Sequence, residues 1–447
     1  MAHGEKVYKV VKGKQTKTFT WRSRYKRPDG TWGSEPGFPT KGLAKQWGEE
    51  QEAAIRAGRW IDPDLQRMHF GEFARKWMRA KPKRGATVGK RWNLLEQHIL
   101  PKWEHTPLIS INWFDVDSWQ QGLACDEVTA GHAVTLMSSI LTGAVDAKHL
   151  TVNPLHARRR TRPTSAPTTK KKTDEEKWAA PEVVLQMAER LGPAVGLHVL
   201  ATAFTGLGWG EGAGLHRDNV LLTRRQAYDG GWFECPVIRV DAEVGELAEY
   251  EGRDEDGTKT GLVLQLEPPK NAGRARDIDV PPFLALLLRY HLADWPHPYV
   301  FCTPAGKWWR RSNFTRSNIR PAADGRDALP TVKGHAPRPK WEPIMPGLTM
   351  RDLRHTHDTY QDQIGVRPAL MFEQAGHKRP GIKAVYQHPT PSMRQMRLDG
   401  LQEIYERAMH NLKWRSLWGR VDLVKADRGA RPTNIPQMIN GDQERVA

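Results

Sequence analysis

The chain has 447 residues, which at roughly 150 residues per domain implies two to four domains. Lys and Arg number 68 against 51 Asp and Glu, a formal net charge of +17, and such a surplus points to a polyanionic partner, nucleic acid being the commonest. No stretch reads as the roughly 18 uncharged apolar residues of a membrane span, and the opening MAHGEKVYKVVKGK has no apolar signal core. Cys125, Cys235 and Cys302 lie too far apart for a disulfide framework or a CxxC metal signature. The expectation is a soluble cytoplasmic protein with no membrane partner and no metal, its cysteines acting as small buried hydrophobes.

Residues 5 to 38 read as a β-meander. VYKVV and TKTFTWRSRY are strands with alternating aromatic and basic residues, and Pro28-Asp29-Gly30 turns the chain before Thr31-Trp32. Nine basic residues and no acidic one fall between Lys6 and Arg27. A solvated sheet face would account for the charges, but cations interleaved with aromatics favour a nucleic-acid contact, with Lys17, Arg22, Arg24 and Lys26 as candidates. Thr40 opens a helix that ends near Gly58 and places Ala44, Trp47 and Gln51 on one face. This small unit, residues 1–62, suits an appended module.

Residues 66–157 read as an all-α domain. Phe70, Phe73 and Trp77 mark the first apolar stripe, with further helices over 88–99, 115–123 and 128–146. The run RRRTRPTSAPTTKKK at 158–172 holds seven basic residues, two prolines and no acid. It cannot form a core, so 158–177 is a linker, and Arg158, Arg159, Arg160, Lys170, Lys171 and Lys172 are placed to track a phosphate backbone. Residues 178–412 form the largest domain, opening with helices over 181–191 and 193–205 and passing through β-rich stretches at 232–240, 261–266 and 276–280 before returning to helix. The acidic stretch 241–259 reads as a hairpin or loop insertion, and 413–447 as a polar tail.

Three stretches of this domain suit phosphate chemistry. In FTGLGWGEGAGLHRDNV (204–220) a helix ends at Gly206 and a glycine-rich turn leads to a short helix; the turn follows a helix and lacks the GxGxxG and Walker spacings, so a nucleotide loop is disfavoured. In EPPKNAGRARDIDVPP (267–282) Lys270 precedes a tight turn and a strand beginning with Arg274 and Arg276, as if presented at a hairpin tip. There its ammonium can reach a phosphate or protonate a leaving oxygen. In the third stretch, 349–388, Arg351, Arg354 and His355 share one helical face, followed by Ala375-Gly376-His377 and then Tyr386.

GLxWGE, the lysine, RHT, GH and VYxH, in this order, resemble the tyrosine recombinase (phage integrase) family, of the kind carried by actinobacterial phages and integrative plasmids. The resemblance spans about residues 5 to 410. It implies a multidomain α+β fold: a small N-terminal β-meander plus helix that binds arm-type DNA sites, an all-α core-binding domain, and a mixed, mainly α catalytic domain of the tyrosine recombinase type. The implied function is site-specific recombination that integrates or excises a mobile element. Tyr386 matches the nucleophile that forms a 3′-phosphotyrosyl link, Arg354 the second phosphate-binding arginine, Lys270 the lysine that protonates the leaving 5′-oxygen, His377 the later His/Trp position, and Glu211 the acidic residue that buttresses the first arginine. The resemblance implies no cofactor. The partners it implies are double-stranded DNA at attachment sites, other copies of the chain in a tetramer, and an excisionase or DNA-bending protein.

Two positions depart from the family pattern. Gly208 stands where GLRxxE has its first arginine, and Arg351 stands where HxxR has its histidine. Losing one charge-assisted donor at such a centre costs about 10²- to 10³-fold, and Glu211 is expected to be left without its partner. Arg351, one turn before Arg354, is the candidate to return a cation. The rival readings are a catalytically impaired relative that binds DNA without exchanging it, and a topoisomerase-like activity, which the arm-type unit argues against. A metal nuclease is disfavoured, since no acidic or histidine cluster has ligand spacing.

Overall fold

The computed structural model describes residues 1–11, 14–58, 60, 62–63, 67–80, 85–156, 177–228, 231–254, 256–331, 337–377 and 388–420. The chain divides into two compact units, Met1–Arg162 with Glu251–Gly261, and Pro163–Tyr250 with Leu262–Ala447.

The first unit opens with a three-stranded antiparallel sheet of β1 (His3–Val11), β2 (Lys14–Lys26) and β3 (Trp32–Phe38) in that order. Helix α1 (Lys41–Arg56) begins where the sequence places it, because the Thr40 hydroxyl accepts the Leu43 N–H at 3.2 Å. Its buried Ala44 and Gly48 face the sheet, where Tyr25 is buried and meets Trp47 edge-on at 5.5 Å.

A helical cluster follows. Phe70, Phe73 and Trp77 of α2 (Phe70–Ala80) are all buried, as their i, i+3, i+7 spacing predicts. Helix α3 (Gly85–Leu94) runs on through Leu95–Ile99 and Leu100–Trp103, farther than the expected end at residue 99. Helices α4 (Trp113–Gln121) and α5 (Glu127–Asp146) are capped by Asn112 and Asp126, whose side chains accept the Asp115 and Thr129 N–H groups at 3.0 and 2.8 Å. By length and composition α5 could cross a membrane, a stretch the sequence reading passed over. Here its Ala133, Met137, Ile140, Leu141 and Ala144 are buried among the aromatics of α2 and α3. The segment 251–261 completes this unit: the guanidinium of Arg253, 2% exposed, donates to Glu96 at 2.8 Å and Asn93 at 2.7 Å.

The second unit is built on α6 (Pro181–Thr205), which breaks at Gly192 with φ 72° just before Pro193, at the join between the two helices expected there. After the short α7 (Trp209–Ala213) come β4 (Val220–Leu221), β5 (Arg225–Tyr228), β6 (Gly231–Glu234), β7 (Val237–Val240), β8 (Glu246–Arg253), β9 (Lys259–Glu267) and β10 (Arg276–Asp279). They form a three-stranded sheet in the order β10-β7-β4 and two strand pairs, β5-β6 and β8-β9. The acidic insertion is thus the β8-β9 pair.

The hairpin expected around Lys270 is not formed. β9 pairs with β8 whereas β10 pairs with β7, so Lys270 lies on a connection between two sheets. Helices α8 (Pro282–Asp294) and α9 (Met350–Gln363) pack with α6 around Leu200, Phe204, Leu284, Leu288, Leu353 and Tyr360, α10 (Pro368–Ala375) lies against β10, and α11 (Pro391–Asn411) adds Leu401 and Tyr405 to the core. Phe283 and Tyr405 stack at 3.9 Å.

Residues 413–420, expected to be tail, are part of this packing: Leu417 is buried and Arg420 pairs with Asp294 at 3.0 Å. Cys235 and Cys302 are buried, whereas Cys125 is half-buried.

Candidate active site

The site forms where the end of α6, the start of α7, β10, α9 and the end of α10 converge. Helix α6 closes on Gly206 in the left-handed region, φ 70°. The chain then extends through buried Leu207 to Gly208, with φ −70° and ψ 155°, a conformation open to any residue. The Gly208 N–H donates to Glu211 Oε2 at 2.8 Å, which folds the carboxylate back over the first turn of α7.

Glu211 is 2% exposed and does not lack a partner. Arg276 of β10 grips it bidentately, Nη1 to Oε1 at 3.0 Å and Nη2 to Oε2 at 3.2 Å, and Arg354 Nη1 reaches Oε2 at 3.4 Å. The unpartnered carboxylate expected from the loss of the family arginine is therefore corrected: an arginine 65 residues along the chain replaces it. Burial alone would raise the Glu211 pKa, but Arg276, then Arg354 and the Gly208 N–H, outweigh it and hold the carboxyl below its ordinary value.

Arg276 is itself pinned. Its Nε donates to the Gln374 carbonyl at 2.6 Å and its Nη1 also to the Arg274 carbonyl at 2.8 Å, which leaves its side chain 5% exposed. The turn after α10 comes this close because residue 376 is glycine: φ is 67°, and a Cβ there would lie 3.0 Å from Arg274 Cα and 3.1 Å from Arg276 Cδ. Gln374 locks the same corner, donating to the Thr205 and Asp279 carbonyls at 3.1 Å and accepting the Asp279 N–H at 3.1 Å.

Behind it lies a buried ion cluster. Asp279 pairs with Arg394 at 3.1 Å and with Arg397, and Arg394 also pairs with Glu373, which ties α11 to β10 and α10. Burial raises the Asp279 pKa, and Arg397 and Arg394 more than offset it.

Arg354 comes from α9, whose first turn is fixed by a reciprocal cap: the Asp352 N–H donates to Thr349 Oγ1 at 3.3 Å and the Thr349 N–H to Asp352 Oδ2 at 2.9 Å. Its Nη2 donates to the Ala375 carbonyl at 3.1 Å, yet the side chain keeps 20% exposure, more than Arg276 has. His377 follows the turn and is exposed. Partial burial, then the cations Arg354 and Arg274, push its pKa below the ordinary value, so at neutral pH it is an uncharged imidazole.

Arg351 is exposed on α9 and donates from Nε to His355 Nε2 at 3.3 Å. Lys270 is exposed on the connection that leads to Arg274. Tyr386 lies outside the described residues, as do Arg158, Arg159, Arg160, Lys170, Lys171 and Lys172.

Sequence reasoning noted Arg274 and Arg276 but gave them no role. Arg274 ends a short 3-10 turn and Arg276 opens β10, so the spacing of the two arginines carried no signal of where Arg276 points.

In the N-terminal sheet, Arg22, Arg24 and Lys26 alternate with Trp21, Ser23 and Tyr25; the last two are buried on the α1 side. The three cations therefore point away from α1, although Arg24 is paired to Glu5 at 3.2 Å. Lys17 is exposed and lies where the β1–β2 register shifts, between Tyr8↔Phe19 and Val10↔Gln15. Nearby, Lys6 Nζ sits 4.7 Å over the ring of Phe19, which is 43% exposed.

No family model matches the chain. The protein named as prophage phiRv2 integrase of Mycobacterium tuberculosis (strain H37Rv) is 23% identical over 374 residues, 82% of this chain and 88% of that protein. The integrases of Mycobacterium phages FRAT1 and D29 are each 23% identical over 323 residues, 71% of this chain and 82% and 73% of theirs. Among solved structures, the Tn1549 transposon integrase in complex with transposon right end DNA covers 75% of this chain and 100% of its own, with a TM-score of 0.49 and 14% identity. Relatives that match over most of their length, together with the ordered motifs around Glu211, Arg354, His377 and Tyr386, make this chain similar to the phage integrases, in keeping with the tyrosine recombinase resemblance of its sequence.

Proposed function

We propose that the chain is a site-specific DNA recombinase that cleaves and rejoins double-stranded attachment sites and so integrates or excises a mobile element. The observation that carries this reading is the cluster of Arg354, Arg276, Glu211 and His377, in which α9 and β10 each bring an arginine to one buried carboxylate of α7, in a chain whose relatives are named integrases. In this reading Arg354 and His377 hold the non-bridging oxygens of the scissile phosphate, where fixed N–H donors offset the charge that builds up in the pentavalent transition state.

The phenol oxygen of Tyr386 attacks phosphorus and forms the phosphotyrosyl bond as the bond to the 5′-oxygen breaks. Lys270 supplies the proton that the leaving oxygen takes up. A guanidinium offers donors and no acceptor, so Arg351 does not take the phenolic proton, which passes to water. The phosphotyrosyl ester conserves the bond energy for resealing. Residues 1–62 serve as an arm-site module using Lys17, Arg22, Arg24 and Lys26, residues 66–157 bind the core site, 158–177 follow the backbone between them, and 178–412 carry out the chemistry. Four copies act together on paired sites, assisted by a bending protein or an excisionase.

A second reading, DNA binding without cleavage, rests on Gly208, which supplies no cation. Strand exchange between two duplexes bearing the attachment sites of the chain's own element decides between the readings. Recombinant junctions are expected from the wild type and none from Tyr386→Phe; tight binding with no exchange by either protein favours the second reading.

A further inference from the structure

Among the described residues Arg276 is the only guanidinium that grips Glu211 with two donors, and it comes from a strand rather than from the α7 turn. Position 208 has no side chain. An ideal Cβ there would sit 2.7 Å from Arg354 Nη1 and 3.2 Å from Glu211 Oε2, so the missing group would have stood against these two residues. Arg276 already uses Nε, both Nη1 hydrogens and one on Nη2 within the protein. It has too little capacity left to hold a phosphate. What it can do is fix a carboxylate, and that carboxylate touches Arg354.

The geometry points to Arg276 as the positioning residue of this site: from β10 it takes over the neutralisation of Glu211 that a side chain at 208 cannot supply, and through Glu211 it aims Arg354 at the phosphate. The inference rests on the proposed recombinase function and adds to it a route by which a chain with Gly208 remains active. Three features of the structure support it. The contact is bidentate, so it sets the orientation of Glu211 as well as its charge. Gln374 and Gly376 hold Arg276 from the same turn whose Ala375 carbonyl accepts Arg354, so one corner orients both arginines. Arg354 is the more exposed of the two, as the residue meeting the substrate should be.

The test measures cleavage rate on a nicked suicide duplex, DNA affinity by gel shift, and thermal melting for full-length wild type, Arg276→Met, Arg276→Lys, Glu211→Gln, Gly208→Arg and the double variants. Arg276→Met should lower the cleavage rate by about 10²-fold, the scale of a misplaced reacting group, while affinity changes little. Its rate should also rise with pH through the neutral range where the wild type is flat. A buried carboxyl without its bidentate partner titrates higher, and only the ionised form aims Arg354. Gly208→Arg should restore much of the loss, and Arg276→Met should cost little more once Glu211 is already Gln.

A merely structural role would lower melting, affinity and rate together and would not respond to Gly208→Arg. Arg276→Lys retains the charge without the fork, so a folded Arg276→Lys protein that is slow and rescued by Gly208→Arg supports the inference even if Arg276→Met does not fold. A wild-type rate in Arg276→Met or Arg276→Lys, or a full penalty in the Glu211→Gln and Gly208→Arg backgrounds, overturns it. Absence of any wild-type cleavage contradicts the proposed function itself and this inference with it.

Discussion

Replacing Gly208 by arginine should speed cleavage. The backbone at 208 is extended, so a side chain brings no strain there. Its Cβ would fall 2.7 Å from Arg354 Nη1, the far end of a flexible chain that can yield. Glu211 Oε2 already accepts from Gly208 N at 2.8 Å, Arg276 Nη2 at 3.2 Å and Arg354 Nη1 at 3.4 Å. The newcomer therefore displaces the longest of these contacts and loosens the hold of Glu211 on Arg354, while its own guanidinium adds a donor at the phosphate. A restored oxyanion donor contributes about 10²-fold, or about 2.7 kcal/mol. Giving up the long Arg354 contact costs about 1 kcal/mol. The net gain is about 10-fold or somewhat more, in rate and not in affinity, because the added charge complements the transition state more than the diester. Single-turnover cleavage of a suicide duplex at saturating protein reads it directly. An unchanged rate in a variant that melts and binds like the wild type would mean that position 208 does not face the phosphate, and the assignment of the 206–211 motif would fall.

Other outcomes follow from the same structure. His198 and His357 are wholly buried, and desolvation lowers both pKa values to about 3. The unfolded histidines titrate near 6.5, so the unfolded chain binds more protons between these values and stability is lost as pH falls below about 6.5, by about 2 kcal/mol per histidine at pH 5. Urea melts at pH 7.5 and 5 should show this, with His198→Leu reducing the difference; a pH-independent midpoint would refute it. DNA affinity should fall about 10³-fold or more between about 50 and 200 mM salt if six or more phosphates are gripped; a gel-shift series nearly flat over that range would exclude a clamp. Removing residues 1–62 should leave core-site cleavage intact and lower integrative recombination, because arm binding adds effective concentration and not chemistry. Equal recombination by both proteins would remove the arm-site role.

What could be read from the sequence was local. The Thr40 cap, the Phe70–Phe73–Trp77 stripe, the break before Pro193 and the left-handed end at Gly206 each follow from residues within one or two turns of each other. What escaped was set by pairing across long separations. Lys270 looked like a hairpin tip because strands adjacent in sequence usually pair, but the β8-β9 insertion takes β9 as its partner and sends β10 to β7. Arg276 looked like an ordinary strand residue because its partner Glu211 is 65 residues away, and the same is true of Arg397 and Asp279, 118 residues apart. Residue 413 onward looked like tail because it is polar, yet Leu417 is buried in the core.

The central claim is that this chain breaks DNA with Tyr386 at a phosphate held by the Arg354 cluster. Incubating the full-length protein with a nicked suicide duplex of its own element's attachment site, then digesting the covalent product and sequencing the DNA-linked peptide, tests it most directly. The account predicts a 3′-phosphate ester on Tyr386 that Tyr386→Phe abolishes while DNA binding persists; an adduct on Tyr360 or Tyr405, both buried in the core of the second unit, or no adduct at all on a duplex the protein binds tightly, would contradict it.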